Sequence, residues 1–243
     1  MTLLSLTAVT RLHQVGRERR AVLADVSLTV WPGDLVAIWG LRRTGKTTLL
    51  RVAAGIEAPD AGSVRIGRLD LAELSAGERT RCLRQVGYAP KEWRIAPGKP
   101  VLDHVALPLL AEGRPLATAM AKAHEAIERV GASHCAEACV SELLSTDATR
   151  LSLAQALVRD PQVLLIDEPG ATADPEERVA LLELLRSLLA ERPGLALVLT
   201  SRDVTGLAVA DRVLTLSDGR LRSYDEPAEI VPFPRPSPMG SPT

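Results

Sequence analysis

Aromatic side chains are scarce: three Trp, two Tyr and one Phe make up 2% of 243 residues. A core with so few rings must be filled by Leu, Val, Ala and Ile, the usual interior of strands and helices packed in layers. Cysteine is thin as well, and Cys82, Cys135 and Cys139 are odd in number, which reads as reduced thiols rather than a disulfide framework. No stretch approaches the ~18 consecutive apolar residues needed to span a bilayer. The opening "MTLLSLTAVTRLH" lacks the basic start, apolar centre and small-residue cleavage site of a secretory signal. The expectation is therefore a protein on the cytoplasmic side of the membrane, soluble or held there by a partner. An excess of one charge is missing too. With 29 basic and 30 acidic side chains the net charge is -1, so the whole chain offers no electrostatic footprint for nucleic acid, which is not an expected partner. His134, Cys135 and Cys139 are metal-binding residue types close together, but no fourth ligand sits at a matching spacing, and a helix surface or core is the better account of them.

What is present is an alternation of short apolar runs and amphipathic stretches. Strand signals lie at residues 35–39, 63–67, 85–89, 162–167, 195–200 and 212–216. Helical periodicity is clearest over 176–192, where Val179, Leu182, Leu185 and Leu189 follow three- and four-residue steps. This predicts an α/β fold with a mostly parallel sheet covered on both faces. From Val101 to Val158 helix follows helix, which predicts a helical subdomain, about residues 95–158, inserted into a domain spanning 1–225. Residues 226–243, rich in proline and without apolar period, are expected to form a disordered tail; Pro234, Pro236 and Pro238 could also serve as a partner's ligand.

Two stretches carry chemistry. Gly40-Leu-Arg-Arg-Thr-Gly45-Lys46-Thr47 fits G-x-x-x-x-G-K-[ST], follows the strand at 35–39 and opens a helix near Thr47. In such a loop the glycines let Gly40, Arg42, Arg43, Thr44 and Gly45 wrap backbone N–H groups around phosphates. Lys46 would bridge the β- and γ-phosphates of ATP, Thr47 would ligate Mg2+ and Thr48 would reach the α-phosphate. The second stretch is the apolar strand "VLLI" ending in Asp167 and Glu168. Asp167 would hold the metal and Glu168 would polarise the attacking water; a helix cap is the plainer reading of an acidic pair before "PGATAD".

"DVSLTVWPGDLVAIWG", the phosphate loop, "VLDHVALPLL", "ALVRDPQVLLIDEPGATAD" and "ADRVLTLSDGRL" resemble, in order and spacing, the nucleotide-binding subunits of ABC transporters, over residues 3 to 224. Within that family the stretch from "DAGSVRIG" to "VALPLLAEGRP" is most similar to the lipoprotein-release, macrolide-efflux and cell-division group. The resemblance implies a P-loop NTPase (RecA-like) core, an N-terminal antiparallel β subdomain and the helical insertion. It further implies Mg-ATP as ligand, a membrane permease and a second ATP-binding subunit, identical or different, as partners, and a place on the inner face of the membrane. His13 falls where the family stacks an aromatic on adenine, and Asp174 matches an acid that communicates between the paired sites. The surface near Lys91, Glu92 and Trp93 is where the family meets its permease.

The chain also departs from the family. The signature, usually Leu-Ser-Gly-Gly-Gln, reads Leu143-Leu144-Ser145-Thr146-Asp147. Its serine hydroxyl and two glycines are lost, and Asp147 sets a negative charge toward a phosphate. Lys91 replaces a glutamine that senses metal and water, and lysine cannot accept a hydrogen bond. Ser201 replaces a histidine at the end of the strand 195–200. Arg42 and Arg43 stand where small residues allow a partner to approach, and either obstruct it or point to solvent. The expectation is an ABC-type ATPase that binds Mg-ATP and turns it over weakly or with a partner's help, or else a nucleotide-gated regulatory subunit that does not hydrolyse.

Overall fold

The computed structural model describes residues 1–93, 98–138, 143, 145–171 and 173–224. Two sheets form its frame. The larger has the order β10-β9-β3-β8-β7-β6, built from β3 (Leu35–Trp39), β6 (Val86–Ala89), β7 (Val163–Ile166), β8 (Ala196–Ser201), β9 (Arg212–Ser217) and β10 (Arg220–Ser223). Its strands pair in parallel except the β9–β10 hairpin at one edge. The smaller sheet, order β2-β1-β4-β5, is antiparallel and joins β1 (Leu4–Val15), β2 (Glu18–Val30), β4 (Ala61–Ile66) and β5 (Leu69–Asp70). The α/β architecture expected from the sequence is present, with an antiparallel sheet, a mostly parallel sheet and covering helices.

The parallel strands are apolar on both faces because each face has its own cover. Leu35, Ala37, Leu164, Ile166, Leu197 and Leu199 point into a core shared with α3 (Val101–Ala111), α4 (Leu116–Arg129), α5 (Ser145–Leu157) and α6 (Pro175–Glu191). Their alternates Val36, Ile38, Val163, Leu165, Ala196 and Val198 pack with the antiparallel sheet and α1 (Lys46–Ala53). The remaining helix, α2 (Ala76–Leu83), starts on a capping box of Ser75 and Glu78. Among the described residues, α3, α4 and α5, with a short 3-10 turn at Ser133–Cys135, lie between β6 and β7.

Periodicity marked neither β1 nor β2, and the reason lies in their irregular register. Leu4 and Leu6 are buried, but the buried parity then switches to Val9, across a shift in pairing at Ala8, whose φ is +51°. In β2 the switch falls between Leu23 and Val26, at Asp25 with φ +58°. A bulge reverses the inward face, so simple alternation breaks inside a continuous strand. The proline-rich stretch 226–243 lies outside the described residues.

Candidate functional site

The phosphate-loop pattern joins the end of β3 to the start of α1. Gly45 caps the helix at φ +101°, and a side chain there would put its Cβ 2.7 Å from the Val22 carbonyl oxygen, so only glycine fits. Lys46 follows, 4% exposed, with Nζ donating to the carbonyl oxygens of Gly40 (2.6 Å) and Leu41 (2.8 Å). Burial holds its pKa below the usual 10.5, partly offset by Glu168. Thr48 is buried, and Thr47 turns outward to donate its hydroxyl to Asp167 Oδ2 at 2.7 Å. Arg42 and Arg43 are both exposed, and Arg43 adopts φ +63°.

Strand β7 delivers its acids to the same place. Asp167 is 3% exposed and accepts from two hydroxyls, Thr47 and Thr200 (2.9 Å). Burial pushes its pKa up, against those hydrogen bonds. Glu168 enters the left-handed region at φ +47°, and its N–H donates to Thr200 Oγ1 at 2.9 Å. A non-glycine residue there stores backbone strain, as functional sites often do. Its carboxylate is met by three cations: Lys46 Nζ at 3.1 Å on Oε1, and Lys91 Nζ at 2.7 Å and Arg202 Nε at 2.8 Å on Oε2. Burial alone would raise Glu168, but the hydrogen bonds from Lys91 and Lys46 outweigh it and hold the carboxyl below its usual range. Behind this cluster a cavity of about 480 Å³ is lined by Trp39, Thr200, Arg202 and Asp203 among others.

Ser201 turns away, its hydroxyl donating to the Asp203 carbonyl and accepting from the Asp203 N–H. Arg202, one residue on, is the side chain that reaches Glu168, and sequence reasoning missed it. Its signal was adjacency to a strand end, which cannot say which of two neighbours faces inward.

The other marked residues scatter. His13 Nε2 lies 3.6 Å from Glu57, which also holds Arg11 and Arg51. Asp174 caps α6 and forms a capping box with Glu177, with Pro175 at the first helical position. Trp93 donates from its indole to Gln155 on α5 at 3.0 Å and stands edge-on to His104 of α3. Glu92 is exposed. At the signature, Asp147 lies 3.2 Å from His134 Nε2, and Cys135 completes a group whose ligand atoms lie within 4.8 Å of one another. Burial, with Asp147 beside it, pushes the Cys135 thiol up to about 11. Leu144 and Cys139 lie outside the described residues.

This strand, loop, helix and acid arrangement coincides with a match to the family model described as ABC transporter, over residues 23–171. The chain belongs to the ABC transporter family. Among the relatives of this ABC-family chain is the lipoprotein-releasing system ATP-binding protein LolD of Shewanella sp. (strain MR-7). It is 32% identical over 228 residues, covering 93% of this chain and 98% of the relative. The methionine import ATP-binding protein MetN 1 of Yersinia pestis bv. Antiqua (strain Antiqua) is 30% identical over 234 residues, covering 96% of this chain and 68% of the relative. A solved dimeric bacterial ABC transporter cassette, MJ0796, superposes with a TM-score of 0.82 at 25% identity, over 90% of this chain and 96% of that one. Among the described residues no helix of this ABC-family chain is long and apolar enough to cross a membrane.

Proposed function

We propose that the chain is the ATP-binding subunit of an ABC-type membrane transporter complex, binding Mg-ATP with slow or partner-dependent hydrolysis. The observation that carries this reading is the meeting of Lys46 and Thr47 with Asp167 and Glu168 across 2.7 to 3.1 Å, although Thr47 and Asp167 are 120 positions apart in the sequence. Relatives named as ATP-binding proteins of a lipoprotein-releasing system and of methionine import support it, and their different cargoes leave this chain's cargo open. The proposed partners are a permease and a second ATP-binding subunit, which would keep the chain on the inner face of the membrane. The dimeric cassette MJ0796 supports the pairing.

The donor set suits magnesium. Thr47 Oγ1 and Asp167 Oδ2 are hard oxygens 2.7 Å apart, and Asp167 is a buried carboxylate whose hydrogen bonds come from hydroxyls. Magnesium bound there would supply charge neutralisation for the phosphates. Lys46 would exchange its loop carbonyls for phosphate oxygens. Glu168 would accept a hydrogen bond from the attacking water, but Lys91 and Arg202 hold its Oε2. That engagement favours the alternative of a nucleotide-gated regulatory subunit enough to keep it in the test.

The test is Mg-ATP turnover of the affinity-purified membrane complex, comparing wild type with Glu168→Gln. Collapse of turnover in the variant assigns the chemistry to this chain. Persistence places hydrolysis in another subunit, and a complex that binds ATP without turnover in either form is the regulator.

A further inference from the structure

Away from the phosphate loop, three side chains of different ligand chemistry converge. His134 and Cys135 stand side by side on the 3-10 turn Ser133–Cys135, and Asp147, 13 positions beyond His134, lies in the first turn of α5. The imidazole nitrogen, the thiol sulfur and a carboxylate oxygen all lie within 4.8 Å of one another. His134 Nε2 and Asp147 Oδ1 are 3.2 Å apart.

That spacing can be compared with a metal's coordination sphere. Bonds of about 2.0 Å to nitrogen and oxygen place tetrahedral neighbours about 3.3 Å apart, and a bond of about 2.3 Å to sulfur places them roughly 3.5 Å apart. The histidine and the carboxylate already stand at that separation. The sulfur has at most little more than about 1 Å to close, within reach of a side-chain rotation. The backbone carrying the ligands is fixed without a metal. The amides of Leu102 and Val101, at the start of α3, donate to the carbonyls of Ala136 and Ala138, both at 3.1 Å. On α5, Arg150 Nη1 donates to the Val130 carbonyl at 2.6 Å, which ties the Asp147 end of that helix to the end of α4.

We propose that His134, Cys135 and Asp147 form a zinc site. A thiolate and an imidazole disfavour magnesium and calcium, which take oxygen donors. One thiolate and one carboxylate together balance the charge of a divalent ion, and the thiol proton leaves to solvent when sulfur binds. Cys135 is buried and the Asp147 side chain is 14% exposed, whereas that of His134 is 66% exposed. The site thus opens to solvent on the histidine side, where water completes four-coordination. Bound zinc would cancel the Asp147 charge and link the start of α5 to the preceding turn. None of this depends on the reading of the phosphate loop.

The experiment strips the full-length chain with chelator and titrates it with Zn2+ against a chromophoric competitor, in excess magnesium so that oxygen-only sites are occupied. Wild type should bind one equivalent with Kd below about 1 μM. Cys135→Ser, His134→Ala and Asp147→Ala should each bind at least about tenfold more weakly, while Cys82→Ser, on α2, should match wild type. Co2+ serves as a second probe. It should give wild type a thiolate-to-metal charge-transfer band and the strong visible bands of a four-coordinate ion, and Cys135→Ser should lose the first. Circular dichroism verifies folding; if a buried-site variant misfolds, His134→Ala, at an exposed position, still carries the test. Absence of a stoichiometric zinc ion in wild type overturns the site. Unchanged affinity in His134→Ala or in a folded Asp147→Ala overturns the ligand set, and a Co2+ spectrum without the sulfur band does the same.

Discussion

At the carboxyl ends of β3, β8, β7 and β6, four charged side chains crowd together around Glu168. At the start of α5, Asp147 meets His134 and Cys135. The first region brings together the residues proposed to hold a nucleotide, with Lys91 and Arg202 adding positive charge. In the second, Asp147 is already engaged by His134, and under the proposed function it stands where the family signature would offer a neutral residue. The two are linked physically, since Trp93, two residues beyond Lys91, hydrogen-bonds Gln155 on α5. Under the proposed function, the difference teaches that the chain's own half of a shared site and the half it would offer a partner have fared differently.

The largest test of that contrast removes the own-site cation. Lys46→Ala should weaken ATP binding by at least about a hundredfold, since a buried charge-assisted contact is lost. Unchanged affinity in a titration would show that the phosphate loop is not the site and would dissolve the contrast. Next in size, Lys91→Gln with Arg202→His should raise ATP turnover of the purified complex by about tenfold, by freeing Glu168 to work as a base. Turnover equal to wild type would move the limitation to the α5 side.

A stability measurement sharpens the comparison from another direction. Asp167 has its pKa raised by burial above its ordinary 3.8, so its ionised form opposes folding. That cost is complete above the raised folded pKa and fades as pH falls toward 3.8. Asp167→Asn should therefore stabilise the unliganded chain by about 1 kcal/mol at pH 7, with the gain shrinking on acidification. Thermal melting across that range checks it, and a gain that grows in acid would contradict the assignment. The smallest effect belongs to α5. Asp147→Gln should change the chain's own ATP affinity by less than about twofold, the range of a change remote from the phosphate loop. It should instead promote ATP-dependent self-association, visible by sedimentation; a large loss of own-site affinity would erase the distinction between the halves.

Much of the fold was legible because its signals are local. The phosphate loop showed itself through spacing, and β7 through a four-residue apolar run ending in two acids. The bulged strands β1 and β2 were hidden from periodicity, because Ala8 and Asp25 reverse the buried parity midway. At the site, Lys91 was marked as a loss of function, yet nothing in its neighbours announced that it touches Glu168. Arg202 was passed over for Ser201, since a strand end gives no rule for which residue of the following turn faces inward.

The sequence by itself determined the strand-loop-helix unit, the glycine that a left-handed helix cap calls for, and the acids that end an apolar strand. Each depends on residues within a few positions of one another, where backbone geometry and side-chain chemistry act directly. Tertiary structure alone decided that Lys46, Lys91, Glu168 and Arg202 share one centre. That outcome rests on the strand order β3-β8-β7-β6, which packing of the whole sheet sets, and on Coulomb attraction, which acts through distance in space and takes no account of separation along the chain.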